Sequence, residues 1–223
     1  MTRRAAAVAL LALVGTGWAA PAHASAGSGP STTSLVLSTT GSAYGETVTA
    51  SATVTTVPGP AQGDVVFAVG DLRFKANLSA GGSATIVLPK LPVGQHPVSA
   101  VFVPQLPDEQ QASTSPAETW VVSPVRTRLQ VRVIGRGARI PTSVEVRAAG
   151  EFGTRPTGRV KVQVHRRGVR NVARAVGRLS QSVVVLAEVG RLRAGTHRLV
   201  VTYVGDSQHR RHVQSSRFYV RPR

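Results

Sequence analysis

Arginine is the residue type with the most capacity for chemistry in this sequence, and it is unevenly placed. Residues 125–223 hold 22 basic side chains against four acidic ones (Glu145, Glu151, Glu188, Asp206), for a net of +18. Residues 25–124 hold three basic (Arg73, Lys75, Lys90) against six acidic, for a net of −3. Arg159, Lys161, Arg166, Arg167, Arg170 and Arg174 crowd one short stretch of the basic half, with Arg210, Arg211 and Arg217 near its end. A field of that sign attracts polyanions: nucleic acid, teichoic-type polymers, acidic glycans or anionic headgroups. The planar guanidinium fork suits phosphate and carboxylate because it gives two parallel hydrogen bonds. Coding bias is the competing account, since Arg outnumbers Lys 24 to 3. A GC-rich genome gives that ratio without selection, yet the acidic half, encoded beside it, holds a single arginine, Arg73. A functional anionic partner and a merely soluble surface both stand at this point.

Other groupings are weaker. Asp206, Ser207 and His209 have the residue types of a nucleophile, base and orienter. Three near neighbours on one loop do not easily reach the geometry that separate elements normally assemble. His209-Arg210-Arg211-His212 with Asp206 has metal-ligand types, but adjacent arginines repel a cation and no Cys is present. No Gly-x-Ser-x-Gly, His-Glu-x-x-His or phosphate-binding glycine loop occurs. No catalytic residue, metal or cofactor is expected, and the protein is read as non-enzymatic. Sequence-specific nucleic-acid binding is disfavoured because the basic half offers few stacking aromatics: Phe152, Tyr203, Phe218 and Tyr219. Trp120 is read as a packing residue, with sugar stacking as the alternative. His96 and His197 hold the same place in an internal repeat, which favours a structural role.

The elements that position these residues read as strands. Val48, Ala50, Ala52 and Val54 alternate with Thr and Ser; Val160, Val162 and Val164 alternate with Arg159, Lys161, Gln163 and His165. Period two with one apolar side is the pattern of a half-buried strand. Seven strands are expected near 33–38, 46–55, 63–69, 71–78, 83–88, 97–103 and 117–122. Seven more are expected near 127–133, 142–148, 158–165, 169–177, 182–188, 196–204 and 216–221. Pro58-Gly59-Pro60, Gly81-Gly82 and Gly135-Arg136-Gly137 mark turns. The halves align: Thr33-Ser34-Leu35 with Thr127-Arg128-Leu129, Gly63-Asp64-Val65 with Gly158-Arg159-Val160, and Gly94-Gln95-His96 with Gly195-Thr196-His197. The offset grows from 94 to 101, which places about six extra residues in the middle of the second half. Ser123-Pro124-Val125 is the expected linker. With no Cys, stability must come from two hydrophobic cores.

The first residues read as an export signal. Met1-Thr2-Arg3-Arg4, an apolar run from Ala5 to Val14 and Ala22-His23-Ala24 form a signal peptide, cleaved after Ala24 or Ala26. That run is too short to span a bilayer of about 30 Å as a helix. The expected organisation is 1–24 signal peptide, 25–32 flexible N-terminus, 33–123 first β-sandwich domain and 124–223 second, basic β-sandwich domain.

Several spaced motifs then resemble the bacterial Ig-like domain repeats. They are Thr33-Ser34-Leu35, Tyr44-Gly45-Glu46-Thr47-Val48-Thr49-Ala50, Gly63-Asp64-Val65-Val66-Phe67 and Leu91-Pro92-Val93-Gly94-Gln95-His96 in the first half. In the second they are Pro156-Thr157-Gly158-Arg159-Val160, Leu192-Arg193-Ala194-Gly195-Thr196-His197 and Tyr203-Val204-Gly205-Asp206. Two places depart from the pattern: Pro104-Gln105-Leu106-Pro107 replaces a Gly-Asp turn, and Arg139-Ile140-Pro141 replaces a Tyr-Gly. The resemblance implies an all-β fold of two tandem Ig-like antiparallel sandwiches of about seven strands each. It also implies a secreted or surface-associated, monomeric structural or interaction protein. The expected partner is an anionic cell-wall polymer, acidic glycan or acidic protein, held by Arg159, Lys161, Arg166, Arg167, Arg170 and Arg174. A passive spacer with no ligand of its own is the alternative, and a secreted enzyme a more distant one.

Overall fold

The computed structural model describes residues 28–179 and 184–222, without the side chains of 169–171 and 184–185. The signal-peptide segment 1–24 and the Arg170 side chain lie outside the described residues. Nine strands form the first sandwich: β1 (Ser31–Leu37), β2 (Gly41–Ala43), β3 (Thr49–Thr56), β4 (Gly63–Val69), β5 (Leu72–Asn77), β6 (Ser83–Val87), β7 (Gly94–Pro104), β8 (Ser113–Thr114) and β9 (Glu118–Ser123). Seven form the second: β10 (Thr127–Ile134), β11 (Thr142–Gly150), β12 (Gly158–Arg166), β13 (Val169–Leu179), β14 (Val184–Gly190), β15 (Gly195–Tyr203) and β16 (His212–Val220). The two Ig-like antiparallel sandwiches read from the sequence are thus present, and β2 beside β9 is a parallel addition.

Both sandwiches follow one plan. A three-stranded sheet, β1-β3-β6, faces a larger sheet ordered β2-β9-β7-β4-β5; in the second copy β10-β11-β14 faces β13-β12-β15-β16. The alternation dictates which face is dry. On β3, Ala50, Ala52 and Val54 are buried, and on β12 Val160, Val162 and Val164 are fully buried. Phe67 and Phe102 fill the first core; Leu199, Val201 and Tyr203 fill the second. Burial of such side chains contributes about 1.5–3 kcal/mol each, which removes the need for disulfides.

The last two strands of each sheet show the repeat at residue level. His96 lies directly across from Trp120, and His197 directly across from Phe218. Their ring centroids are 5.9 and 5.5 Å apart. His96 Nε2 meets the Pro92 carbonyl at 2.8 Å, and His197 Nδ1 meets the Gly195 carbonyl at 3.0 Å. Trp120 is buried and donates its indole N–H to Ser42 Oγ at 2.9 Å, so it packs and has no exposed ring face to offer a sugar.

Two features differ from a plain reading of the sequence. Residues 28–32, expected within a flexible N-terminus, are paired: the Gly29 N–H donates to the Glu109 carbonyl at 2.7 Å, and Ser31 already belongs to β1. The extra residues of the second half lengthen one hairpin. β12 and β13 run 9 and 11 residues, where β4 and β5 run 7 and 6.

The face assignment of the long hairpin is open to a direct test. Leu199→Ala, in the dry layer behind β12, is expected to cost about 2–5 kcal/mol in urea unfolding. Val176→Ala, 65% exposed on the other face, is expected to stay within about 0.5 kcal/mol. The reverse order of costs would mean that the sheet is turned the other way, with Arg159 and Lys161 inward.

Candidate functional site

Strand geometry fixes where the cations of the second sandwich go. Because side chains alternate, burying Val160, Val162 and Val164 sends Arg159, Lys161, Gln163 and His165 to the outer face. The same logic turns Arg174 and Arg178 of β13, Arg198 of β15 and Arg217 of β16 outward. Arg159 stands directly across from Arg178, Lys161 from Val176, and Gln163 from Arg174. His165 stands across from Arg198, which stands across from Arg217. No Asp or Glu occurs in β12, β13, β15 or β16.

The four acidic residues of this half sit elsewhere. Glu145, on β11 of the opposite sheet, accepts from Arg147 Nε at 2.8 Å. Glu188 is on β14 of the same sheet, across from Ser143. Glu151 is in a single 3-10 turn, Glu151–Gly153, 3.9 Å from Arg128 Nη2, and Asp206 is in the β15–β16 loop. The four-stranded face is therefore basic without compensation, whereas the three-stranded face mixes signs.

Of the six residues read from the sequence as an anion-binding set, Arg159, Lys161 and Arg174 share this face, and all three are exposed. Arg166 and Arg167 are exposed at the turn that joins β12 to β13, at one end of it. Arg170 belongs to β13, and its side chain is outside the description. Sequence reading missed Arg178, Arg198 and the role of Arg217. The alternation of Arg198 with buried Leu199 and Val201 marks it as outward-facing, but its place beside β12 comes from the pairing of the strands. An open depression lies where the hairpin turn meets the ends of β15 and β16, lined by His165, Arg166, Arg167, Thr196, Arg198 and Arg217 among others.

The loop that resembles a Ser–His–Asp grouping does different work. The Asp206 carboxylate accepts from Thr157 N and Oγ1 at 2.8 Å each, Gln208 N at 2.8 Å and His209 N at 2.7 Å. His209 Nδ1 meets Asp206 Oδ1 at 2.8 Å, and Nε2 lies 3.0 Å from Thr154 Oγ1. Burial pushes the Asp206 pKa up, but the backbone N–H groups of Thr157 and Gln208, with the His209 and Thr157 side chains, outweigh it. The net result lies well below the usual carboxylate range. Burial, and then the Asp206 charge, pushes the nearby Tyr203 phenol above its usual range.

This framed loop joins the sandwiches. His209 is 3% exposed, and its ring meets the edge of Tyr44 from the first sandwich, with centroids 5.9 Å apart. The Val93 N–H donates to Gln208 Oε1 at 2.7 Å, and Arg210 Nε donates to the Pro124 carbonyl at 2.8 Å. Val125, in the linker, is fully buried; its N–H donates to Gln208 O and its carbonyl accepts from Arg210 N. Gly45 has φ +89° and packs so closely on Thr154 and Phe152 that a Cβ would collide with Thr154 Cγ2. Ser207, the nucleophile of the sequence grouping, makes no bond to His209 among those described; its Oγ accepts from Gln208 Nε2 at 3.4 Å.

Residues 35–123 match the bacterial Ig-like domain (group 3) family. No curated protein matches the chain. Among solved structures, the fibronectin(III)-like modules of Clostridium thermocellum CbhA share 16% identity at a TM-score of 0.32, covering 84% of this chain and 94% of that one. The Yersinia pseudotuberculosis adhesin InvE shares 13% at a TM-score of 0.39, covering 83% and 58%. A Ca2+-stabilized adhesin of an Antarctic bacterium shares 15% at a TM-score of 0.39, covering 88% and 50%. Among the described residues, no helix is long and apolar enough to cross a membrane.

Asp206→Ala strips the loop of its acceptor and leaves the donors of the buried His209 without it, at an expected cost of about 2–4 kcal/mol at pH 7. Because the folded Asp206 pKa is lowered, its contribution is complete above the ordinary carboxylate value of about 4 and fades as pH falls towards the folded value. Thermal melts of wild type and variant should therefore converge below about pH 4. A gap that is constant, or that widens in acid, would contradict the clamp.

Proposed function

Because residues 35–123 match the bacterial Ig-like domain and the second half repeats the same plan, we propose that this is a non-enzymatic, extracellular interaction module. Its second sandwich holds an anionic envelope polymer on the outer face of β13-β12-β15-β16. The single observation that carries this reading is the sorting of charge. Arg159, Lys161, Arg174, Arg178, Arg198 and Arg217 share a face without an acid, while Glu145 and Glu188 lie on the opposite sheet. Coding bias accounts for the number of arginines in the half but not for this sorting.

Binding is electrostatic and falls with salt, because exposed cations are screened beyond a Debye length of about 8 Å at physiological ionic strength. The first sandwich is the spacer. Its shorter counterpart hairpin, β4–β5, pairs Asp64 with Lys75 at 2.6 Å and carries no comparable charge. A secreted enzyme is disfavoured because the one Asp–His pair among the described residues, Asp206 with the buried His209, is committed to the junction.

Retention of the full mature chain on an anionic cell-wall polymer fraction from the producing organism tests the reading. Arg159→Gln/Lys161→Gln/Arg174→Gln is expected to elute at roughly half the salt needed for wild type, an order-of-magnitude expectation from screening. Arg128→Gln/Arg132→Gln/Arg136→Gln removes the same charge from β10 and the loop that follows it and should elute close to wild type. Equal shifts for both triples would make net charge the cause and favour a passive spacer.

A further inference from the structure

The outer face is not uniform. At its hairpin end, three neighbouring strands place His165, Arg198 and Arg217 in one cross-strand row. Like charges directly opposite on neighbouring strands destabilise a sheet. Arg198 and Arg217 therefore cost the fold something, and no carboxylate on any strand of this sheet offsets it. Arg166 and Arg167 close the same depression from the turn, and Thr196 adds a hydroxyl from β15. Arg166 is partly held in place, since its Nη2 donates to the Ala194 carbonyl at 3.4 Å.

We propose that this depression is a discrete subsite for a tetrahedral oxyanion, the phosphate group of a phosphate-bearing polymer; the proposal rests on the polyanion reading above and narrows it. Half of the lining side chains that carry hydrogen-bonding groups are arginines, which only donate, and their guanidinium groups arrive from three separate elements, the β12 end, β15 and β16. A planar carboxylate is satisfied by one guanidinium fork. A phosphate presents oxygens to several sides at once and can take Arg198, Arg217 and Arg166 together. The other like-charge pair, Arg159 with Arg178, lies six residues away along β12, on the order of 20 Å at strand rise. That pair has no hairpin turn beside it and serves as a second contact for any polyanion laid along the strands.

The test compares long-chain inorganic polyphosphate with polygalacturonate at 150 mM salt, using full-length mature protein. Wild type is expected to bind polyphosphate at least tenfold tighter than polygalacturonate. Arg198→Gln/Arg217→Gln should weaken polyphosphate binding at least tenfold and change polygalacturonate binding less than twofold. Arg159→Gln/Arg178→Gln should weaken both polymers to a similar extent. Folding is checked in the same variants: relief of a like-charge pair should raise Tm by about 1–3 °C. Amide signals of Thr196 and Arg198 should move with inorganic phosphate and stay still with acetate.

Equal affinity of wild type for the two polymers overturns the subsite and leaves the polyanion reading standing. So does an equal loss of polyphosphate binding in the two double variants. No binding of wild type to either polymer overturns both.

Discussion

One half-buried carboxylate organises the middle of this molecule. Asp206 gathers donors from Thr157, Gln208 and His209, and in doing so fixes a loop that would otherwise be free to splay. Only with the loop framed does His209 stand against Tyr44, Gln208 reach Val93, and Arg210 reach Pro124. The linker is held by the same loop through Val125. The orientation of one sandwich on the other follows from a single charge that is stabilised mainly by backbone N–H groups. A carboxylate in such a cradle is worth more as a structural anchor than as a base, since its affinity for a proton has been driven down.

The second constraint is the need of a sheet to keep one face dry. Val160, Val162 and Val164 must face Leu129, Val144 and Val146 across the core, so whatever lies between them in sequence faces solvent. That is why a run of basic residues within β12 becomes a row on one surface and does not encircle the sandwich. The lengthened hairpin enlarges the surface and adds β13 residues beyond the limits of its counterpart β5. Core stability and surface charge are thus supplied by alternate residues of the same strands, and either can change with little effect on the other.

Much of this was legible in the sequence. Period two and the turn glycines mark the strands, and even the growing offset between the halves points to the place where β12 and β13 lengthen. Arg159, Lys161 and Arg174 can be set on one face from alternation with valine alone. Arg198 and Arg217 could not be joined to them, because the register of β15 and β16 against β12 is a property of pairing and not of either strand's own pattern. Asp206, Ser207 and His209 could be set aside as a catalytic grouping from their closeness on one loop, but the histidine's actual partners, Thr154, 55 residues away, and Tyr44 in the other sandwich, could not be read. Contacts between sandwiches leave no periodic trace.

The two copies are not interchangeable at their ends. In the second, His209 bridges to Val125; in the first, Gln110 makes the same bridge to Gly29 and turns its amide onto its own backbone, accepting from Gln62 N and donating to Pro60 O. The Gly-Asp turn of the second copy is replaced in the first by Pro104-Gln105-Leu106-Pro107, and the Tyr-Gly of the first is replaced in the second by Arg139-Ile140-Pro141. A head-to-tail contact between identical units is heterologous, and unless its rotation closes a ring it propagates into a filament. Here the knob and its socket lie on different copies and are used up against each other. The duplication therefore yields a directed pair, in which the His209 loop of the second copy faces Tyr44 of the first and not the reverse.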